Sequence, residues 1–199
     1  MSMIIKGRRV LLRPLRETDF DAWNEVRERC GDWLTRWEPL PPAGWGDPNG
    51  RRLFVSRCMA RESEARTGAS HSFGIFVEGR FIGEANLSGI ARGALQSGNI
   101  GYWIDMKEAG HGYVPEAVAT IFRFAFEDLG LHRIQISIVP RNQPSHRVVE
   151  KLQLRNEGRA QRYIEIAGVW EDHDLFAITV EEWIARRRFF MENFILPRI

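Results

Sequence analysis

Two glycines one residue apart stand just before a helix-forming run, in the segment KEAGHGYVPEAV at residues 107–118. Inside a helix, Gly110 and Gly112 would each cost about 1 kcal/mol against alanine, so the spacing favours a turn with bare backbone. A helix that begins after such a turn offers four unpaired N–H groups and the positive end of its dipole. This pattern predicts a phosphate or pyrophosphate site; the alternative is a tight turn that binds nothing.

Two nucleotide-binding motifs do not fit this segment. A P-loop requires Lys followed by Ser or Thr after its last glycine, whereas Tyr113 and Val114 follow here. A dinucleotide fingerprint would have Gly or Ala at Pro115 and an acidic residue at the end of the next strand, where residues 138–140 read IVP. The phosphate therefore belongs to another ligand.

The bulk composition excludes several classes of protein. The chain has 199 residues, 44% of them hydrophobic, a net charge of +2 and a pI near 8.7, which is too mild a charge to indicate direct binding of nucleic acid. No apolar run approaches the roughly 18 residues of a membrane span. Cys30 and Cys58 form no CxxC and fall in expected helical segments, so we expect free thiols and a cytoplasmic protein. The five histidines show no metal spacing. We expect one domain at 1–182 and a helical tail at 183–199.

The elements that must position the glycines alternate between strand and helix patterns. We expect a first strand near residues 4–12, two helices, a hairpin around Glu78–Gly79, a strand at 99–105, a helix at 114–129, a buried strand RIQISIV, a helix at 143–152 and a final hairpin. Antiparallel runs around a single β-α-β unit predict a mixed α+β fold. The tail, with Trp183, Phe190 and Phe194 on one stripe, is expected to pack on the protein itself; a dimer contact or a membrane surface is the alternative.

Three blocks together resemble one enzyme family. They are K-x-x-G-x-G at 107–112, V-P-x-N-x-x-S-x-x-V-x-E-K-L at 139–152 and R-Y-x-x-x-x-G-x-W-x-D-H at 162–173. From residue 5 to 182 the chain resembles the GNAT N-acetyltransferases, and more narrowly the ribosomal-protein-alanine acetyltransferases of the RimJ and RimL type. Lys107 stands where this family most often has Gln or Arg. The resemblance implies a three-layer fold, with a twisted, mostly antiparallel sheet of about seven strands flanked by helices.

The resemblance also implies acetyl-CoA as cosubstrate. The main chain of residues 110–113 would receive its pyrophosphate, and residues 102–104 would pair with its pantetheine arm. Lys107, His146 and Arg147 are the cations within reach of its 3′-phosphate. The cofactor-binding residues expected on this basis are Tyr102, Trp103, Ile104, Lys107, Gly110, His111, Gly112, Tyr113, Asn142 and Arg147.

The resemblance assigns one catalytic residue. Ser145 stands where L-type enzymes place the residue that serves the leaving sulfur; its alternative is a helix-capping serine after Asn142. A backbone N–H of the Trp103–Ile104 strand would bind the developing oxyanion. The acid and base positions of other branches fall near Val149 and Ser137, where neither chemistry is present.

The lack of a strong base bears on the acceptor. An α-amine with a pKa of about 7.7–8 is on the order of 10–20% neutral at pH 7, whereas a lysine is neutral below about 0.1%. The missing base therefore favours a protein N-terminus, and the resemblance implies ribosomal proteins as one class of acceptor. We expect a monomeric or homodimeric enzyme. A small amine as acceptor, or a non-catalytic acyl-CoA-binding module, is the alternative. Expected acceptor-side residues are Trp33, Trp37, Glu84 and His173, with Trp45, Glu165 and the acidic run 171–174 as further candidates.

Overall fold

Eight strands and six helices make up the part of the chain that the structure, a computed structural model, describes: residues 3–41, 44 and 46–195. The strands are β1 (Ile5–Lys6), β2 (Val10–Arg13), β3 (His71–Val77), β4 (Arg80–Ala91), β5 (Ser97–Ile104), β6 (Arg133–Ile138), β7 (Arg155–Ile166) and β8 (Val169–Thr179). The helices are α1 (Phe20–Cys30), α2 (Asp32–Thr35), α3 (Arg51–Thr67), α4 (Tyr113–Arg123), α5 (Gln143–Lys151) and α6 (Val180–Asn193). A π-helical turn, Phe124–Asp128, extends α4.

The strands form one sheet, in which the two central strands, β5 and β6, pair over a short stretch and then diverge. Its order is β1-β2-β3-β4-β5-β6-β8-β7, and only β5 and β6 pair in parallel. That pairing covers Ser97–Asn99 opposite Arg133–Gln135. Beyond it, β5 stays with β4 as far as Ile104, and β6 stays with β8 as far as Ile138. The sheet therefore opens at the edge from which α4 and α5 begin.

Helices cover both faces of the sheet, as expected for three layers. The larger core lies under α4, α5 and α6 and contains Ile121, Phe122 and Val149. The smaller core lies under α1, α2 and α3 and consists of Leu15, Trp23, Val26, Cys30, Leu34, Phe54, Phe76 and Phe81. Among the described residues, no helix is both long enough and apolar enough to cross a bilayer.

The C-terminal helix belongs to the larger core. Thr179 and Glu182 form a capping box that starts α6. Trp183 and Phe190 are 2% and 0% exposed, and the Phe190 ring lies 5.9 Å from that of Phe122 in α4. The expectation that the tail packs on the protein itself is confirmed.

The first strand differs from expectation. Instead of one strand over residues 4–12 there are two, because the chain reverses at Gly7, whose N–H donates to the Val10 carbonyl (2.9 Å). A Cβ on Gly7 would lie 2.9 Å from the side-chain oxygens of Glu116 and Thr120 in α4. The reversal brings Gly7 into contact with α4, and no local pattern in the sequence indicates this contact. It also raises the strand count from about seven to eight.

Both cysteines are free thiols, as expected, with Cys30 buried and Cys58 half-buried. In the described part of the chain, no cluster of three or more His, Cys, Asp or Glu side chains could hold a metal ion.

Candidate active site

A cleft of about 200 Å³ lies where β5 and β6 separate. We name it the inner cleft. Its lining consists of Trp37, Ile100, Gly101, Tyr102, Ile136, Ser137, Ile138, Val139, Asn142, Ser145, Ile164, Ile166 and His173. The structure thus brings together five residues expected at the site from separate parts of the sequence: Trp37, Tyr102, Asn142, Ser145 and His173.

One edge of β5 faces this opening with its hydrogen-bonding groups. The Asp105 N–H donates to the carbonyl of Ile82 in β4 (2.7 Å). Main-chain groups alternate in direction along an antiparallel strand, so the N–H groups of Tyr102 and Ile104 point the other way, into the opening. Trp103 directs its main chain to β4, and its ring packs on Phe81 at 5.8 Å in the smaller core. Of the expected Trp103–Ile104 pair, Ile104 is therefore the residue with an N–H at the open edge.

The glycine turn, residues 107–112, joins β5 to α4. Gly110 and Gly112 have φ of +87° and +83°, a backbone conformation that residues with a side chain rarely adopt. A Cβ on Gly110 would meet nothing within 4 Å, so backbone conformation and not crowding requires glycine there. Gly112 is the N-cap residue of α4 and provides no side-chain cap, which leaves the first N–H groups of α4 for another partner.

Asp105 anchors the start of this turn. Its carboxylate accepts the Lys107 N–H (3.1 Å) and pairs with Arg29 of α1 (2.6 Å). Burial by itself would raise the pKa of Asp105, but the hydrogen bonds from Arg29 and the Lys107 N–H hold that pKa below its ordinary value. A buried carboxylate that stays ionised thus ties the turn to α1.

Of the three cations expected near the 3′-phosphate, Lys107 and Arg147 are exposed. The exposed ring of His111 stacks on Tyr113 at 5.8 Å. His146 is placed differently, since its ring faces Phe176 of β8 at 5.6 Å and its Nε2 lies 3.7 Å from Asp174.

Asn142, and not Ser145, caps α5. Asn142 Oδ1 accepts the Ser145 N–H (3.3 Å), so the capping alternative for Ser145 does not hold. Asn142 Nδ2 remains as the donor that could reach the expected cofactor arm. Ser145 reaches the inner cleft from the first turn of α5.

The phenol of Tyr102 adds a group that sequence reasoning missed. Its hydroxyl donates to the Ser145 carbonyl (3.2 Å). Burial raises the pKa of Tyr102, so the phenol keeps its proton. Only the distance between β5 and α5 places this hydroxyl beside Ser145, and no sequence motif encodes that distance.

His173 is the imidazole of the inner cleft. It is 3% exposed, and its Nδ1 lies 3.0 Å from the Glu171 carbonyl. A carbonyl only accepts hydrogen bonds, so in the neutral ring this contact assigns the proton to Nδ1 and the lone pair to Nε2.

An outer cleft of about 330 Å³ adjoins the inner one through Val139. Its lining is Val139, Pro140, Arg141, Arg162, Trp170, Glu171 and Asp172. The acidic run 171–174 does not present free carboxylates there. Glu171 pairs with Arg141 (2.8 Å), Asp172 accepts the Arg162 N–H (2.9 Å) and Asp174 pairs with Arg159 (2.7 Å). These partners reduce its attraction for a basic peptide.

Glu84, which was expected on the acceptor side, is not among the residues that line the inner cleft. Its side chain is buried in the smaller core, where it accepts the Trp23 Nε1–H (2.8 Å) and pairs with Arg61 (2.6 Å). A buried carboxylate needs such partners, and they come from α1 and α3.

The tryptophans of residues 31–50, expected on the acceptor side, do not all line the inner cleft. Trp37 lines the inner cleft, and the Arg141 guanidinium lies 5.2 Å over its ring. Trp33 packs on the smaller core. Trp45 lies outside the described residues.

Arg9 is a second missed residue. Its guanidinium reaches the glycine turn, where Nη1 donates to the His111 carbonyl (3.1 Å). Arg9 lies in the loop between β1 and β2, and nothing in the neighbouring sequence indicates this position.

Comparison with known proteins agrees with this geometry. A family model described as an acetyltransferase (GNAT) domain matches residues 9–155. A probable N-acetyltransferase of Bacillus subtilis strain 168, YjcK, is 34% identical over 177 residues, which cover 88% of this chain and 96% of that protein. The alanine N-acetyltransferase of ribosomal protein uS5 from Escherichia coli K12 is 31% identical over 173 residues, covering 85% and 88%.

A solved structure extends the similarity to the whole fold. RimJ of Mycobacterium smegmatis, in complex with a CoA disulfide, superposes with a TM-score of 0.82 at 32% identity, covering 94% of each chain.

The residues of this chain fit acetyl-CoA on their own geometry. The glycine turn offers bare N–H groups at the positive end of α4, which suits a pyrophosphate. The open edge of β5 offers main-chain groups to the amides of a pantetheine arm. The chain belongs to the GNAT family of acetyltransferases, as an N-acetyltransferase that takes its acetyl group from acetyl-CoA.

Proposed function

We propose that the protein acetylates the N-terminal α-amine of a protein, with ribosomal proteins whose chains begin with alanine as the first class to test. One observation carries the proposal: among the described residues that line the inner cleft, none is a carboxylate, and His173 is the basic group. Such a site suits an amine that is already partly neutral at pH 7, which an α-amine is and a lysine is not.

The outer cleft supports a polypeptide acceptor. It adjoins the inner cleft at Val139, so the residues that follow the first one could lie along it. Two relatives each share about a third of their residues with this chain. One is named for its action on ribosomal protein uS5, and the other is a RimJ protein. A small amine held in the 330 Å³ outer cleft is the second candidate.

Three groups of this chain would act on the reacting atoms, namely His173 Nε2, the Ile104 N–H and Ser145 Oγ. Acetyl-CoA supplies the acetyl group as a thioester, with its thiol as the leaving group. His173 Nε2 has the lone pair that can take a proton from the acceptor amine. The Ile104 N–H, at the open edge of β5, can donate to an oxygen that develops negative charge.

Ser145 Oγ is the donor for the leaving sulfur in this proposal. The hydroxyl belongs to a residue of the inner cleft, and Asn142 carries the capping role that would otherwise occupy Ser145. A hydrogen bond to the sulfur lowers the cost of forming a thiolate.

The test uses the purified protein with acetyl-CoA and matched acceptors. One peptide begins with free alanine and contains no lysine, and its partner has a formylated N-terminus and one free lysine. Polyamines and aminoglycosides form a third set. Thiol release is followed with a colour reagent, and mass spectrometry locates the acetyl group. We expect transfer to the free alanine peptide; transfer to small amines alone would reject the proposal in favour of the second candidate.

A further inference from the structure

Arg9 holds the glycine turn from the side of the β1–β2 loop. Its Nη1 donates to the His111 carbonyl (3.1 Å), and its guanidinium lies 4.8 Å over the Tyr113 ring. A Cβ on Gly112 would come within 3.4 Å of Arg9 Nη2. The guanidinium therefore contacts the last peptide of the turn.

This contact sets the direction of one N–H group. A trans peptide is planar, so the carbonyl of His111 and the N–H of Gly112 point in opposite directions. Because the carbonyl points to Arg9, the Gly112 N–H points to the other side of the turn. That N–H is one of the groups expected to meet the pyrophosphate.

Glu116 in turn fixes Arg9. Its carboxylate is 2% exposed and accepts hydrogen bonds from the main-chain N–H of Arg9, the N–H of Val10 (2.9 Å) and Arg9 Nε (2.9 Å). Glu116 lies in the first turn of α4, where the helix dipole favours a negative charge. The guanidinium is thus held at both ends, by a buried carboxylate and by the turn itself.

We propose that Arg9 is a positioning residue for acetyl-CoA, which orients the His111–Gly112 peptide so that its N–H faces the pyrophosphate. The inference rests on the cosubstrate and not on the proposed acceptor. A direct ion pair between Arg9 and the 3′-phosphate is a different arrangement, and the two predict different ligand dependence.

The experiment measures binding of CoA and of dephospho-CoA, which lacks the 3′-phosphate, by calorimetry. We expect Arg9→Ala to weaken both ligands about tenfold, the size of one charge-assisted hydrogen bond, and to leave the ratio of their affinities as in the wild type. Arg9→Lys should restore little, because an ammonium cannot bind the carbonyl and Glu116 in a planar fork. Arg8→Ala is the matched control, since Arg8 bonds to the Glu192 carbonyl (2.6 Å) away from the turn; it should stay within twofold.

Three results would overturn the proposal. They are unchanged CoA affinity in Arg9→Ala, full recovery in Arg9→Lys, and a ratio of CoA to dephospho-CoA affinity that falls toward one. Thermal unfolding of each variant verifies folding, and Arg9→Gln replaces Arg9→Ala if the latter does not fold. No acceptor is needed, so failure here is distinct from failure of the proposed function.

Discussion

The Tyr102 hydroxyl donates a 3.2 Å hydrogen bond to the main-chain carbonyl of Ser145, and this bond joins β5 to α5 across the opening of the sheet. A phenol has one O–H donor, and here that donor is committed. Burial keeps the phenol protonated by raising its pKa. Of these two hydroxyls, that of Ser145 is therefore the one whose proton remains for a leaving sulfur.

This hydrogen bond predicts different kinetic effects for Ser145→Ala and Tyr102→Phe. We expect Ser145→Ala to lower kcat by about tenfold to a hundredfold, with the KM for acetyl-CoA little changed, because proton donation acts in the transition state. Tyr102→Phe should lower kcat by less than about fivefold, since it removes a bond that orients α5. Steady-state kinetics with the alanine peptide measure both, and a larger effect in Tyr102→Phe would assign the donor role to Tyr102.

His173 gives a prediction with a pH signature. We expect His173→Gln to lower kcat/KM most near pH 7, where most of the acceptor amine is protonated and a base is needed. Above about pH 8, where an α-amine is largely neutral, the deficit should shrink. His132→Gln is the control, because His132 is exposed and pairs with Glu181 (3.1 Å). A deficit that stays constant from pH 6.5 to 9 would contradict a role in deprotonation.

The glycine turn predicts a difference between stability and binding. At φ of +83°, Gly112→Ala strains the backbone by about 1–2 kcal/mol, and the relaxation that relieves this strain moves the N–H groups that face the ligand. We expect a CoA affinity at least tenfold lower in Gly112→Ala. Gly79→Ala, in the β3–β4 turn with φ of +79°, carries similar strain and should bind CoA normally. Equal affinities in the two variants would argue against the turn as the pyrophosphate site.

Asp105 predicts an acid-dependent part of the stability. Its pKa is lowered on folding, so its contribution is complete above its unfolded pKa of about 3.9 and is lost as pH falls through the lower folded pKa. We expect Asp105→Asn to reduce the free energy of unfolding by about 2–4 kcal/mol at pH 7, as for a broken buried pair, and by less at pH 3. Urea unfolding at the two pH values measures this.

The control for Asp105 is Glu108→Gln. Glu108 pairs with Arg80 over 3.1 Å, and the Arg80 side chain is largely exposed, so the loss should stay below about 1 kcal/mol. An Asp105→Asn deficit that is the same at pH 3 and pH 7 would show that the carboxylate charge is not the stabilising feature.

Local chemistry explains which features could be predicted from the sequence. The β3–β4 hairpin, α5 and the glycine turn each depend on residues within a few positions of one another, and each lies where it was expected. The buried strand β6 follows from its β-branched residues. Family motifs added Asn142 and Ser145 to one cleft.

Features that depend on distant partners could not be predicted. Gly7 ends β1 because Glu116 and Thr120 occupy the space beside it. Glu84 looks like a surface residue of a strand until Trp23 and Arg61 enclose it. Each of these outcomes is decided by tertiary packing, which composition and periodicity do not encode.

Because β5 separates from β6, the hydrogen exchange of individual amides in β5 should depend on whether a ligand is bound. In the free protein, the N–H groups of Gly101 and Trp103 are turned toward β4, whereas those of Tyr102 and Ile104 face the opening. Deuterium should therefore enter β5 at alternate residues, at rates that differ by orders of magnitude within four positions. A bound pantetheine arm would slow the fast set and leave the slow set unchanged, so β5 can report binding without any label on the ligand.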